Sequence, residues 1–245
     1  MPSGSNRAFA SAFRKELQGE LRGRHGFFLS GMFGLMAMAA VSFSMANQSP
    51  SPMVASGLFS LVVLFSAMTA VPRLYLAEDE QGTFDLVRQW GNCGSLWLGK
   101  AVFAAIHQGL TALLLSLLFS GVINLNVENW LLWVLGAGLI GVASANVLSL
   151  TSALVVTAAN RWVLAVVVAF PLLFPLLFLG IGMHRVAFGQ GSLESAYQSL
   201  AALVLYAAVP FGIGPMLAES LWDERQTARK GPSPGGGPPQ NGGGS

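Results

Sequence analysis

The chain has 245 residues, of which 53% are hydrophobic and only 10% charged. A soluble domain carries about 25% charged residues, and the apolar residues here come in runs too long for one. The formal net charge of +2 is no nucleic-acid signal, so the basic residues are read as topology markers.

Residues 1–26 form an N-terminal segment in which Phe9, Phe13, Leu17 and Leu21 recur every fourth position, with Arg14, Lys15, Arg22 and Arg24 off that stripe. This spacing predicts an amphipathic helix lying in the headgroup region. Residues 27–222 hold six apolar runs, at 27–46, 54–76, 101–123, 131–157, 162–183 and 197–217, each near the roughly 20 residues that cross a bilayer. The first run ends in Ser44-Met45-Ala46, which resembles a signal-peptide cleavage site. It is longer than the 7–15 residues of a signal core, so it is expected to remain as a span. The expected fold is all-α: a polytopic membrane protein of six transmembrane helices with an N-terminal amphipathic interfacial helix.

Between the second and third runs lies Glu78-Asp79-Glu80-Gln81-Gly82-Thr83-Phe84-Asp85-Leu86, with four of the chain's 11 acids. A charge at mid-membrane costs about 2.5–3.5 kcal/mol, so this stretch stays outside the bilayer. Gly82 interrupts the backbone, and Thr83 offers an N-cap ahead of Phe84, Asp85, Leu86 and Val87. The expected product is a short helix with an acidic start and apolar side chains, held at the membrane surface for a partner to grip. The fourth run carries Ala137, Gly141, Ala145, Ser149, Ala153 and Thr157, a small-residue stripe for close helix packing, within the bundle or between copies. Pro171 and Pro175 bend the fifth run, and Pro210, Gly212, Gly214 and Pro215 predict a break in the sixth. Residues 223–245, rich in Gly and Pro from 231 on, are expected to be a disordered tail.

Of the 13 Lys and Arg, all but Arg185 fall before the first span, in the even-numbered loops or after the sixth. The positive-inside rule then places both termini and the acidic segment in the cytoplasm. Cys93 falls in a cytoplasmic loop, where a free thiol is expected. Gly94-Ser95-Leu96-Trp97-Leu98-Gly99-Lys100 has phosphate-loop spacing, but Ala101 stands where the hydroxyl for magnesium belongs. Lys100 is read instead as an interfacial anchor of the third span. No metal site and no set of nucleophile, base and orienting acid can be assembled. His107 is an intramembrane ionisable residue, read as hydrogen-bonded to a neighbouring helix. His184 and Arg185 lie at the opposite side of the membrane beside Val186, Ala187 and Phe188. An imidazole, a cation and a hydrophobic edge suit a haem or a partner there, and interfacial snorkelling also accounts for them.

The acidic stretch with Gly82-Thr83-Phe84-Asp85-Leu86 resembles the coupling segment of ABC-2-type exporter permeases, which read Gly-Thr-Leu-Glu-x-Leu after acidic residues. Here Phe84 replaces leucine, Asp85 replaces glutamate, and Arg88-Gln89-Trp90-Gly91-Asn92 replaces a leucine-rich turn. Phe13-Arg14-Lys15-Glu16-Leu17, Arg73-Leu74-Tyr75, Gly99-Lys100 and Phe170-Pro171-Leu172-Leu173-Phe174-Pro175 extend the likeness over most of the chain. Together they resemble the haem exporter protein B family of the cytochrome c maturation system.

That resemblance implies a permease subunit, not an enzyme itself, in a bacterial inner membrane. A separate ABC ATPase would dock on Glu78, Asp79, Glu80, Gly82, Thr83, Phe84, Asp85 and Leu86. It implies other cytochrome c maturation membrane proteins as partners, and ATP acting only through the ATPase. Haem is then cargo, or is carried by the chaperone released, and no cofactor is firmly bound. A permease for a lipid or polymer, and a non-transporting scaffold, are the other readings of the same layout. Cysteines placed at Ser49 and Asn126 are expected to react with an impermeant thiol reagent added outside intact cells, and Cys93 is not. Labelling of the inner site alone would reverse the topology.

Overall fold

A bilayer interior offers no water, so every backbone polar group of a span must pair within the protein, and helices meet that demand segment by segment. The computed structural model describes residues 4–23, 25–45, 49–80, 93–123, 126–155, 158 and 160–229. Among the described residues there are helices and no strand: α1 (Gly4–Gly23), α2 (His25–Met45), α3 (Pro52–Ala70), α4 (Arg73–Glu80), α5 (Cys93–Val122), α6 (Trp130–Val155), α7 (Arg161–Ala187) and α8 (Leu193–Arg229). Six of them, α2, α3 and α5 to α8, are long and apolar enough to cross a membrane. This is the all-α polytopic architecture expected from the sequence. Local signals set several of the starts: Ser51 caps α3 ahead of Pro52, Asn129 Oδ1 accepts from Leu132 N at 3.1 Å at the start of α6, and Ser192 caps α8.

The most buried span is α6, which packs against α3, α5, α7 and α8. Its small residues Ala137, Gly141, Ala145, Ser149 and Ala153 are all buried, so the stripe is a seam inside the bundle. A Cβ on Gly141 would lie 2.8 Å from both the Ala112 Cβ and the Gln108 carbonyl oxygen. Side-chain donors then stitch neighbouring backbones together. Asn146 Nδ2 donates to the Ala207 carbonyl at 2.8 Å, and Gln108 Nε2 donates to Val63 O at 3.3 Å. Trp97 Nε1 donates to Ser149 O and Trp133 Nε1 to Ser116 O, each at 3.3 Å. Such bonds contribute about 1 kcal/mol each in lipid.

Three expectations are corrected. First, α8 is not broken: it is helical throughout Leu193–Arg229 with Pro210 and Pro215 inside it. Each proline removes one backbone bond, and neighbours hold the helix together. Gly214 serves close packing, because the fully buried indole of Trp97 occupies the space a Cβ there would take. The helix also runs past 223, where the tail was expected to begin, and residues 230–245 lie outside the described set. Second, Cys93 opens α5 and is buried, so its lack of labelling does not discriminate between topologies; exposed Arg73 is the better inner reporter position. Gly94 to Lys100 are likewise turns of α5, not a phosphate loop.

Third, α1 is more than an interfacial float. It packs along the first half of α5 through Ala8 and Ala12, which are buried with Leu96. The Phe9–Leu21 stripe is only partly used: Phe13 meets Phe103 edge-on at 6.1 Å, while Leu17 and Leu21 are 40% and 68% exposed. A Cβ on Gly99 would sit 2.7 Å from Phe9 O, so the two backbones are nearly in contact. Ser5–Ser95, Phe9–Gly99 and Phe13–Phe103 contacts advance together along both chains, which makes the packing parallel.

Gly214→Ala should force the Trp97 ring or the α8 backbone aside and cost about 1–3 kcal/mol of overpacking strain. Gly212→Ala, with nothing within 4 Å of the added Cβ, should not destabilise. Thermal midpoints in detergent for the two variants check this, and equal midpoints would contradict the close packing at Gly214.

Candidate functional site

At the end of the bundle where α3 finishes, the chain turns at Val71-Pro72 and enters α4. Leu74 N donates to Val71 O at 3.1 Å and Leu76 N to Pro72 O at 3.0 Å, which fixes the angle of entry. Tyr75 and Leu76 are fully buried, so the first turn of α4 is anchored in the bundle. Beside it lies Lys100 of α5, only 2% exposed. Its Nζ donates to the Leu74 carbonyl at 2.6 Å, pairs with Glu16 Oε1 of α1 at 3.2 Å, and stands 5.4 Å over the Tyr75 ring. The sequence reading of Lys100 as an interfacial anchor is therefore corrected: the ammonium is held inside the protein. A buried ammonium carries a desolvation penalty of several kcal/mol, and here a carboxylate, a carbonyl and a ring face offset it. One turn further along α1, Glu20 lines a cavity of about 20 Å³ with Ala70, Val71, Leu74, Phe103 and His107. The edge Ala8, Ala12, Glu16, Glu20 is thus the face of α1 that reads α3, α4 and α5.

Of the expected coupling residues, Glu78, Asp79 and Glu80 form the last turn of α4. Gly82, Thr83, Phe84, Asp85 and Leu86 lie outside the described residues. The three acids of α4 follow shortly after Tyr75 and Leu76, the residues that anchor this helix in the bundle. Where the chain returns at the start of α5, a Cβ on Gly94 would lie 2.8 Å from both Glu219 Oε1 and the Pro215 carbonyl of α8. Both ends of the acidic segment are thus rooted in buried packing.

At the opposite end, the two residues named from sequence do not share a surface. His184 has no exposed area; its ring stands edge-on to Phe59 at 5.0 Å and to Trp133 at 4.9 Å. Phe119 and Phe188 complete the aromatic cluster around Trp133. A Cβ on Gly136 would lie 2.8 Å from His184 Nε2, so α6 must carry glycine there. Neither ring nitrogen has a well-aligned hydrogen-bond partner among the described residues, and the Gly180 carbonyl, one turn back on α7, is within reach of the ring. Arg185, the next residue, is partly exposed, with a buried Nε that has no hydrogen-bond partner among the described residues. The expected joint display of imidazole and guanidinium is replaced by an inward ring and an outward cation. The Ala187 carbonyl at the end of α7 accepts from Glu128 N and Asn129 N at 3.0 and 3.1 Å, and the Glu128 carboxylate packs over Gly189. Among the described residues no three His, Cys, Asp or Glu side chains gather as a metal site.

Sequence reasoning missed the Glu16–Lys100 pair and the Glu219–Gly94 contact. Glu16 sits one turn beyond Ala12 on α1, and Lys100 follows Gly99. A four-residue spacing of small residues ending in an acid was the available signal for a packed, charged edge.

His184→Leu keeps most of the volume and removes two buried nitrogens that have no well-aligned partner among the described residues. Since each such group costs about 1–3 kcal/mol, the variant should have a thermal midpoint at or above that of the parent. A large fall would show that the imidazole holds a stabilising bond.

Two comparisons bear on identity. No curated protein sequence matches the chain. The family model described as CcmB protein matches residues 7–219, from the packed face of α1 to Glu219 of α8. A match of that extent, on a chain with six apolar helices and an acid-ended α4, shows that the protein belongs to the CcmB family, the permease component of haem export for cytochrome c maturation.

Proposed function

We propose that this chain is the membrane half of an ABC transporter in a bacterial inner membrane, with both termini cytoplasmic. A separate ATPase subunit binds the segment at 80–86 together with the acids Glu78, Asp79 and Glu80. The observation that carries this reading is α4 itself. It carries Glu78, Asp79 and Glu80 shortly after the buried Tyr75 and Leu76, and it is fastened by the Leu74 carbonyl to a buried lysine. A helix anchored at one end and acidic at the other is suited to be gripped and displaced. Phe84 and Leu86 supply apolar side chains that an ATPase groove would bury, and Asp85 supplies a charge for its rim.

In this scheme ATP is used only by the partner, and closure of the ATPase pushes on α4 and α5. Haem is cargo, moved directly or released on its chaperone, and the other maturation proteins of the membrane meet the end that carries Arg185, Glu128 and the buried His184. The energetic requirement on this chain is to convert displacement at 80–86 into rearrangement of spans. The parallel packing of α1 on α5 and the seam of α6 make those spans stiff enough for that.

Phe84→Asp should detach the ATPase or uncouple it, because an apolar knob becomes a charge that must be desolvated in the contact. Copurification of the ATPase and the yield of matured cytochrome c are the measurements. Normal values of both would remove 80–86 as the contact.

A further inference from the structure

We infer that Lys100 is the positioning residue that passes movement of the acidic segment into α1 and α5, a role that rests on the reading of 80–86 as the ATPase contact. Three elements converge on one Nζ. The Leu74 carbonyl belongs to α4, one turn before Glu78 in the chain; Glu16 belongs to α1; and the lysine stem is built on α5. A backbone carbonyl follows its helix rigidly, so a bond of 2.6 Å to it registers the position of α4 and not the rotamer of a side chain. Lys100 is 2% exposed and the Glu16 side chain 14%, so water does not replace a lost partner. Displacing α4 by one residue's rise, about 1.5 Å, would either strip a buried ammonium of its carbonyl or draw Lys100 along with it. Because the second course keeps the charge satisfied, α4, α5 and α1 move as one body.

Close packing reinforces the linkage at two adjacent points. The Gly99 backbone touches α1, so α1 cannot slide on α5 without clash. Tyr75, under the ammonium, is fully buried, so α4 cannot roll. This also gives α1 a purpose beyond membrane anchoring: it widens the moving body, with Leu17 and Leu21 directed outward.

The test uses the intact complex with its ATPase. The double variant Lys100→Met with Glu16→Gln removes both charges, so neither is left unpaired. It should assemble in normal amounts and hydrolyse ATP at the parent rate or faster. Cytochrome c matured per ATP consumed should fall by about tenfold, and Lys100→Arg with Glu16 retained should restore most of it. A merely structural role would lower the amount of complex without changing that ratio, and a parent-like ratio in the assembled double variant overturns the assignment. A second measurement leaves Lys100 and Glu16 untouched. Spin labels at Leu17→Cys and Arg73→Cys, in a Cys93→Ala background, should keep their separation between the ATP-free and ATP-trapped complex. A change above about 3 Å, two residues' rise along a helix, shows that α4 moves independently of α1 and overturns the proposal. If Phe84→Asp releases the ATPase while the double variant keeps its ratio, the lysine linkage alone is wrong. If Phe84→Asp has no effect, the contact at 80–86 is wrong.

Discussion

An ammonium group held away from water must find its counter-charge and its acceptors inside the protein, and Lys100 does so by joining three helices. Glu16 supplies the charge, Leu74 the carbonyl and Tyr75 the ring face. Breaking a buried pair by removing one partner costs about 3–5 kcal/mol, comparable with much of the net stability of a domain. The constraint therefore dictates where α1 lies, how α4 leaves α3 and where α5 begins. The acidic segment is slung between two of the elements so fixed.

The two ends of the bundle are stabilised by different physics. Around Lys100 the contacts are charged and directional, and they include backbone groups at an interhelical joint. Around His184 they are aromatic: Phe59, Phe119, Trp133 and Phe188 pack with ring centroids 4.6–6.1 Å apart. Aromatic packing of this sort contributes about 0.5–1.5 kcal/mol per pair beyond burial and tolerates small rotations. The first kind of contact holds its partners at fixed positions, and the second lets them turn slightly without losing contact. Between them, α6 supplies the stiff centre, joined to α5 at both ends by Trp97 donating to Ser149 O and Trp133 donating to Ser116 O.

Proline and glycine in α8 illustrate how membrane packing overrides local propensity. Read alone, Pro210, Gly212, Gly214 and Pro215 spell a break, since two backbone bonds are lost within one and a half turns. In the bundle, Tyr206 Oη donates to Leu172 O at 2.5 Å, Asn146 reaches the Ala207 carbonyl, and Trp97 fills the notch at Gly214. The carbonyls that the prolines free are those of Tyr206 and Phe211, so these contacts hold the helix on either side of the prolines and do not replace the lost bonds. The same surroundings turn the small-residue stripe of α6 into an internal seam.

The six spans, the helical class and the acidic interruption were legible in the sequence because each rests on a one-dimensional quantity. Run length sets whether a segment crosses a bilayer, and charge sets whether it enters. The family likeness was legible for a similar reason, since short motifs around the acids and the paired prolines are local. The placement of His184 was not, because a residue at the end of an apolar run reads equally as interfacial or inward until Phe59 and Trp133 surround it. Nor was the role of Lys100: Glu16 and Lys100 are far apart in the chain, and opposite charges at such separation carry no pairing signal. Gly99 and Ala12 bring α1 against α5, and only that contact excludes water from the ammonium and makes its partners obligatory.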